Sequence, residues 1–186
     1  MNIGVLALQG DYGLHTKLLS ENNIDCTLVT KPKQLNDIEG LIIPGGESTV
    51  ILKLIKKYGF IEPLKKFSKI KSIFGTCAGA IVISNSTADN MHTLDFINVR
   101  TNRNYWGRQI NSFSDNVKLN LDIPTFIGHF VRAPKFEVLS NEVQILGTYK
   151  NIPVLLRNDK HLISSFHPEM TDDFSIHDYF IGMVNA

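Results

Sequence analysis

The chain has 186 residues, 43% of them hydrophobic and 20% charged, with a formal net charge of +1. That length suits one domain with a sizeable core, the charge balance excludes a general polyanion-binding surface such as one for nucleic acid, and no apolar run approaches the roughly 20 residues that cross a membrane. Two cysteines, Cys26 and Cys77, are too few for a disulfide framework and lack metal-ligand spacing, which points to a reducing, cytoplasmic setting where a thiol is inert or chemically used.

The opening MNIGVLALQG has no basic leader and reads as a strand, with IGVLAL (residues 3–8) the apolar run of a buried parallel strand. YGLHTKLLSEN is predicted helical, CTLVT is a second strand, and GLIIPGG is a third, stopped by Pro44-Gly45-Gly46. STVILKLIKKYG follows as a helix with Ser48 or Thr49 as N-cap and Gly59 as its stop. EPLKKFSKI is a further helix, SIFGT a strand, and GAIVIS a helix beyond a cysteine-bearing turn. The lysines between Lys53 and Lys71 read as solvated helix faces. Strand and helix alternate through this half, which argues for a parallel sheet with helices on both faces. Between residues 98 and 156 the β-prone segments NVKLNL, TFIGHFVRAP, VQILGTY and IPVLLRN suggest antiparallel strands and long loops laid against that core. The strand HLISSFHPE and a closing helix, DDFSIHDYFIGMV, complete the chain. Without repeat or linker, residues 1–186 read as a single α/β domain: a mainly parallel central sheet, helices on both faces and an antiparallel extension.

SIFGT delivers Cys77 to the carboxyl end of a strand, where reactive groups lie in such sheets. The frame Gly75-Thr76-Cys77-Ala78-Gly79 has the form of a nucleophile elbow with sulfur in place of oxygen. Such a turn is strained, and glycines remove flanking side chains that would strike neighbouring backbone. The following helix N-terminus favours the reactive thiolate. The competing reading is a buried cysteine in a glycine-rich turn.

A cysteine nucleophile needs a proton shuttle. Of six histidines, His15, His92, His129, His161 and His177 read as surface or packing residues. The sixth lies in SFHPEM. Proline holds the chain extended there, so His167 and Glu169 project to one side and the carboxylate can orient the imidazole. An acyl-transfer site also needs donors for a developing oxyanion. PGGES supplies a second glycine turn at a strand end, and the nominated donors are the Gly46 and Ala78 N–H groups; one such donor is worth roughly 3–4 kcal/mol.

GTCAGA, PGGES and SFHPE together resemble the class I (triad) glutamine amidotransferases. With IGVLALQGD, LIIPGGEST, NRNYWGRQ and VRAP added, the chain is similar to the glutaminase subunits of pyridoxal 5′-phosphate synthase along nearly its whole length. The resemblance places the nucleophile on Cys77, the triad partners on His167 and Glu169, and glutamine-binding positions on Gly46, Glu47, Ser48, Arg103, Val131 and Arg132. Chemistry supports part of this: Arg103 or Arg132 suits the α-carboxylate of L-glutamine and Glu47 its α-ammonium group. The chain departs from the family pattern at DYGLH, Val50, Met170 and TADNMHTLDFINV, none of them in the triad.

The resemblance implies hydrolysis of L-glutamine through a cysteine thioester, with ammonia passed to a separate synthase subunit, and no metal or other cofactor on this chain. The region near Gln9, Gly10 and His15 is the candidate contact for that partner. Other readings are a glutaminase of another biosynthetic pathway, a cysteine peptidase or related hydrolase with the same elbow, and a regulatory binding module. Ala78-Gly79-Ala80 counts against the first, PGGES and HPE against the second, and an intact Cys-His-Glu set against the third.

Overall fold

Short apolar runs broken by glycine or proline become the strands of the central sheet. In the computed structural model, which describes residues 1–106 and 112–186, β1 (Asn2–Leu6) is followed by α1 (Tyr12–Glu21) and β2 (Asp25–Val29). A 3-10 turn at Pro32–Asp37 leads to β3 (Gly40–Ile43), and α2 (Ser48–Lys57) and α3 (Ile61–Ile70) lead to β4 (Ser72–Thr76). Both β3 and β4 are buried throughout, as strands covered on two faces must be. After the turn at Cys77 come α4 (Ala78–Ile83), β5 (Ser84–Thr87), β6 (Ile97–Asn102), β7 (Phe113–Leu119), β8 (Thr125–Phe130) and β9 (Lys135–Val138). The hairpin β10 (Gln144–Tyr149) and β11 (Ile152–Arg157), then β12 (His161–Ser164) and α5 (Ser175–Asn185), end the chain.

Among the described residues the strands form a nine-stranded sheet in the order β2-β1-β3-β4-β12-β11-β10-β7-β8 and a three-stranded sheet, β5-β6-β9. Pairing from β2 to β12 is parallel, and from β12 to β8 antiparallel. The expected antiparallel segments therefore continue the parallel sheet edge to edge. Alternate residues of the strands enter two apolar clusters, as the period-two pleat requires. Leu41, Ile43 and Ile73 join Ile51, Leu64, Phe67 and Val82 on the side of α2, α3 and α4. Ile3, Ile42 and Phe74 join Leu19, Ile176 and Phe180 on the side of α1 and α5. Each fully buried Leu, Ile or Phe stabilises the fold by about 1.5–3 kcal/mol. The lysines of α2 and α3, Lys53, Lys56, Lys57, Lys65 and Lys66 among them, face solvent.

Three local expectations change. The N-cap of α2 is Glu47, not Ser48 or Thr49: its carboxylate accepts from the Thr49 and Val50 N–H groups at 3.1 and 3.0 Å. GAIVIS is helical only to Ile83, because Ser84 already pairs with Ile97 in the second sheet. His167-Pro168-Glu169 is not a strand end. The backbone is extended at His167, but Pro168–Met170 is a 3-10 turn whose first position suits the fixed φ and missing N–H of proline. The end of NRNYWGRQ, residues 107–109, lies outside the described residues.

Candidate active site

The carboxyl ends of β1, β3, β4 and β12 meet at one cleft. Cys77 leaves β4 with φ 46° and ψ −102°, a conformation few side-chain-bearing residues adopt. Its N–H donates to the Ser164 carbonyl of β12 at 2.8 Å, and its carbonyl accepts from Ile81 at 3.2 Å, so neighbours on both sides hold the turn. The glycine frame is required by packing. A Cβ at Gly79 would stand 1.9 Å from the Ile43 carbonyl oxygen, and one at Gly75 would stand 2.7 Å from the Ala80 nitrogen.

His167 comes from the segment just beyond β12, the parallel neighbour of β4, with Ser164 paired to Thr76. Its N–H donates to the His129 carbonyl at 2.9 Å. Its Nδ1 lies 2.7 Å from Glu169 Oε1, with both side chains buried. Because Nδ1 is occupied by Glu169, Nε2 is the nitrogen left to serve the thiol, and His167 and Cys77 line one cleft. The Cys77 Sγ further lies 3.5 Å from the Val131 carbonyl oxygen.

The electrostatics follow from burial and partners. Burial disfavours a charged His167, yet the neighbouring Cys77 and the bonded Glu169 carboxylate raise its pKa well above the ordinary value. Burial likewise opposes ionisation of Glu169, but His15 and the bond from His167 outweigh it and hold this carboxyl down to about 2. The site thus favours an imidazolium beside a carboxylate.

Gly46, Glu47, Ser48, Cys77, Ala78, Arg103, Val131, Arg132 and His167 all line a cleft of about 380 Å³, while Glu169 lies behind His167. The structure therefore brings all the sequence-derived site residues together. Arg103 donates from its NH1 group to Ser48 Oγ at 3.2 Å and pairs through Nε with Asp89 at 3.1 Å. Glu47 faces the cleft while its carboxylate caps α2, and its pKa is lowered: partial burial opposes this, but the bonds from Thr49 and Val50 and the charge of Arg103 prevail.

Gln9, Asp11, Ile81 and Asn104 also line the cleft and were not assigned to it by sequence reasoning. Gln9 Oε1 accepts the Glu47 N–H at 2.9 Å, and the Asp11 N–H donates to the Gly45 carbonyl at 3.0 Å, so the turn after β1 holds the PGG loop. The signal was available, since Gln9 and Asp11 follow β1 at the same sheet edge as Cys77. His15 is misplaced by the sequence reading as a partner contact: it is wholly buried behind Glu169. Asp11, His167 and Glu169 bring ligand atoms within 4.8 Å of one another, but the last two are already bonded to each other. No helix among the described residues is long and apolar enough to cross a membrane.

Comparison with known proteins agrees with this geometry. The pyridoxal 5′-phosphate synthase subunit PdxT of Thermosipho africanus is 41% identical over 188 residues, covering 99% of both chains. That of Francisella tularensis subsp. tularensis is 41% identical over 181 residues, covering 97% of this chain and 98% of its own. A crystal structure of a glutamine amidotransferase superposes with a TM-score of 0.93 at 38% identity and 99% coverage of both chains. PurLQS from Thermotoga maritima, with a TM-score of 0.69 at 14% identity and 97% coverage of both chains, shares the fold. The model of the SNO glutamine amidotransferase family matches residues 5–186, and with relatives this similar along nearly the whole chain, the protein belongs to that family.

Proposed function

We propose that the chain is the glutamine-hydrolysing subunit of a pyridoxal 5′-phosphate synthase, with Cys77, His167 and Glu169 as its triad. The observation that carries the reading is that His167, bonded through Nδ1 to the buried Glu169 carboxylate, lines one cleft with Cys77. With the thiol proton already held on His167 Nε2, the Cys77 sulfur attacks the side-chain amide carbon of L-glutamine. The oxyanion rests on the Gly46 and Ala78 N–H groups. His167 then returns the proton to the departing nitrogen, releasing ammonia and leaving a γ-glutamyl thioester. Water, deprotonated by His167, attacks that thioester, and glutamate leaves as the sulfur recovers its proton. Glu169 keeps the imidazole in the Nδ1–H tautomer. Arg103, with Arg132 and the backbone at Val131, receives the α-carboxylate, and Glu47 and Ser48 lie at the amino end.

The partner in this reading is a synthase subunit, since the relatives are named as subunits of that enzyme. Ammonia is protonated in neutral water, so a glutaminase serving another subunit gains by idling until docked. The PGG loop is the element that could impose this, because the Gly45 carbonyl is held by Asp11 and turning the Gly45–Gly46 peptide must break that bond. Residues 1–186 would act as one domain in the cytosol, where Cys26 and Cys77 stay reduced.

Glutamate release from L-glutamine, with and without the synthase, tests the reading. We expect turnover with the synthase to exceed that of the isolated chain by at least about tenfold, or roughly 1.4 kcal/mol of barrier. No glutamate release in the complex would overturn the assignment.

A further inference from the structure

Behind Glu169 lies a pair of histidines that the proposed reaction leaves unused. His15 on α1 and His177 on α5 are wholly buried. His15 Nδ1 lies 2.9 Å from His177 Nε2. On its other side, His15 Nε2 lies 3.2 Å from Thr76 Oγ1 and 3.5 Å from Glu169 Oε2. Glu169 Oε2 is buried with no hydrogen-bond partner, although Oε1 is bonded to His167. A bare carboxylate oxygen in the interior is costly, and a small rotation of either side chain would turn the 3.5 Å contact into a hydrogen bond.

The chemistry of the groups sets the direction of every proton in this row. A carboxylate only accepts, so the atom serving Oε2 must be a donor, which puts the His15 proton on Nε2. A neutral His15 then has a bare Nδ1, which must accept from His177 Nε2–H. That leaves His177 Nδ1 bare, and it is indeed buried without a partner. Burial favours the neutral form of both rings. It lowers the pKa of His15 although Glu169 opposes, and it lowers that of His177 to about 3 with help from His15. The titratable groups facing His15 are Glu169, His167, Asp11 and His177.

We propose that His15 is a positioning residue for the triad: its Nε2–H holds Glu169 Oε2, with His177 fixing its tautomer, so that Oε1 stays aligned on His167 Nδ1. One carboxylate then carries two imidazole donors, one leading to Cys77 and one anchored across α1 and α5. Thr76, immediately before Cys77, shares the His15 proton and ties the anchor to the elbow. This inference rests on reading Cys77, His167 and Glu169 as the triad.

The first test is nitrogen NMR of the histidine-labelled full chain near neutral pH. Both His15 and His177 are expected as neutral Nε2–H tautomers, and an Nδ1–H tautomer at His15 would overturn the proposal. The second compares His15→Leu with His15→Gln in the synthase complex, because glutamine keeps an N–H near the Nε2 position. His15→Leu should lower kcat about tenfold, the scale of losses from orienting partners, with KM nearly unchanged. It should also move the acidic limb of kcat/KM upward, because Glu169 then bears more undivided charge toward His167. His15→Gln should restore most of both effects. Equal losses in the two variants with the acidic limb unmoved, or no loss in either, would reject the positioning role. If His15→Leu does not fold, the tautomer measurement decides alone. Persistent activity of Cys77→Ala would instead remove the triad reading itself.

Discussion

The imidazole of His167 lies so close to Gly45 that a Cβ on that glycine would stand 2.3 Å from its Cε1. The PGG loop thus forms one wall of the histidine's pocket as well as a turn. Gly45→Ala should push His167 off the line between Cys77 and Glu169. Misplacement of a reacting group by about 1 Å costs on the order of a hundredfold in rate. We expect a loss of that size in kcat with a near-parental melting temperature. Parental turnover in Gly45→Ala would show that the ring has room the packing denies it.

The two cysteines should respond differently. Cys77→Ala is expected to abolish glutamine hydrolysis, and Cys26→Ala, at a half-buried strand position, to leave it unchanged. A glutamine-like electrophile should label Cys77 alone, read by peptide mass. His167→Asn should approach the loss seen for Cys77→Ala, since acylation and deacylation both need its proton transfer, and Glu169→Gln should cost less. Comparable turnover of His167→Asn and the parent would rule out this proton path.

Asp89, which does not line the cleft, holds Arg103 at 3.1 Å with its own side chain half exposed. If Arg103 receives the substrate carboxylate, Asp89→Asn should raise KM for glutamine several-fold and leave kcat nearly intact. Arg103→Lys should raise it further, because lysine lacks the planar fork that binds Ser48, Asp89 and a carboxylate together. Steady-state kinetics in the complex reads both, and a change confined to kcat would count against the substrate-binding role.

Acid stability should depend on His161, remote from the cleft. Burial first, and Lys160 beside it, lower its pKa from 6.5 to about 4. The unfolded chain therefore takes up a proton that the folded one refuses, so the contribution is full above pH 6.5 and is lost as the pH falls toward 4. The difference amounts to on the order of 3 kcal/mol. His161→Gln should flatten the fall in urea stability across that window while turnover at neutral pH stays parental. An unchanged pH slope would show that His161 is not the group responsible.

The parallel half of the fold was legible because each strand there is a short apolar run with a glycine or proline stop. Cys77 was legible because packing demands glycine at 75 and 79, and that demand leaves a visible frame. His167 and Glu169 were found through their spacing, although the turn that joins them is 3-10 and not extended. The three-stranded sheet was hidden, since SNST at Ser84–Thr87 has the composition of a turn and is a strand only through its pairing with β6. His15 lies on the buried face of α1 with Leu18 and Leu19, where a histidine reads as packing. Its partner His177 is 162 positions away, beyond the reach of any local pattern.

The strand order carries a consequence for how the molecule is completed. β12 lies in the middle of the nine-stranded sheet, parallel to β4 on one side and antiparallel to β11 on the other. It is also the last in chain order among the described strands, so it is made after all of them. The two halves of the sheet can each form before it exists, but they have no common seam until it inserts. His167 and Glu169 enter with that same segment, so a nascent or truncated chain that lacks it carries Cys77 without the two proposed triad partners. Closing the long loop between β4 and β12 is a slow, non-local step. On the proposed triad, the step that makes the sheet continuous is therefore also the one that brings His167 and Glu169 to Cys77.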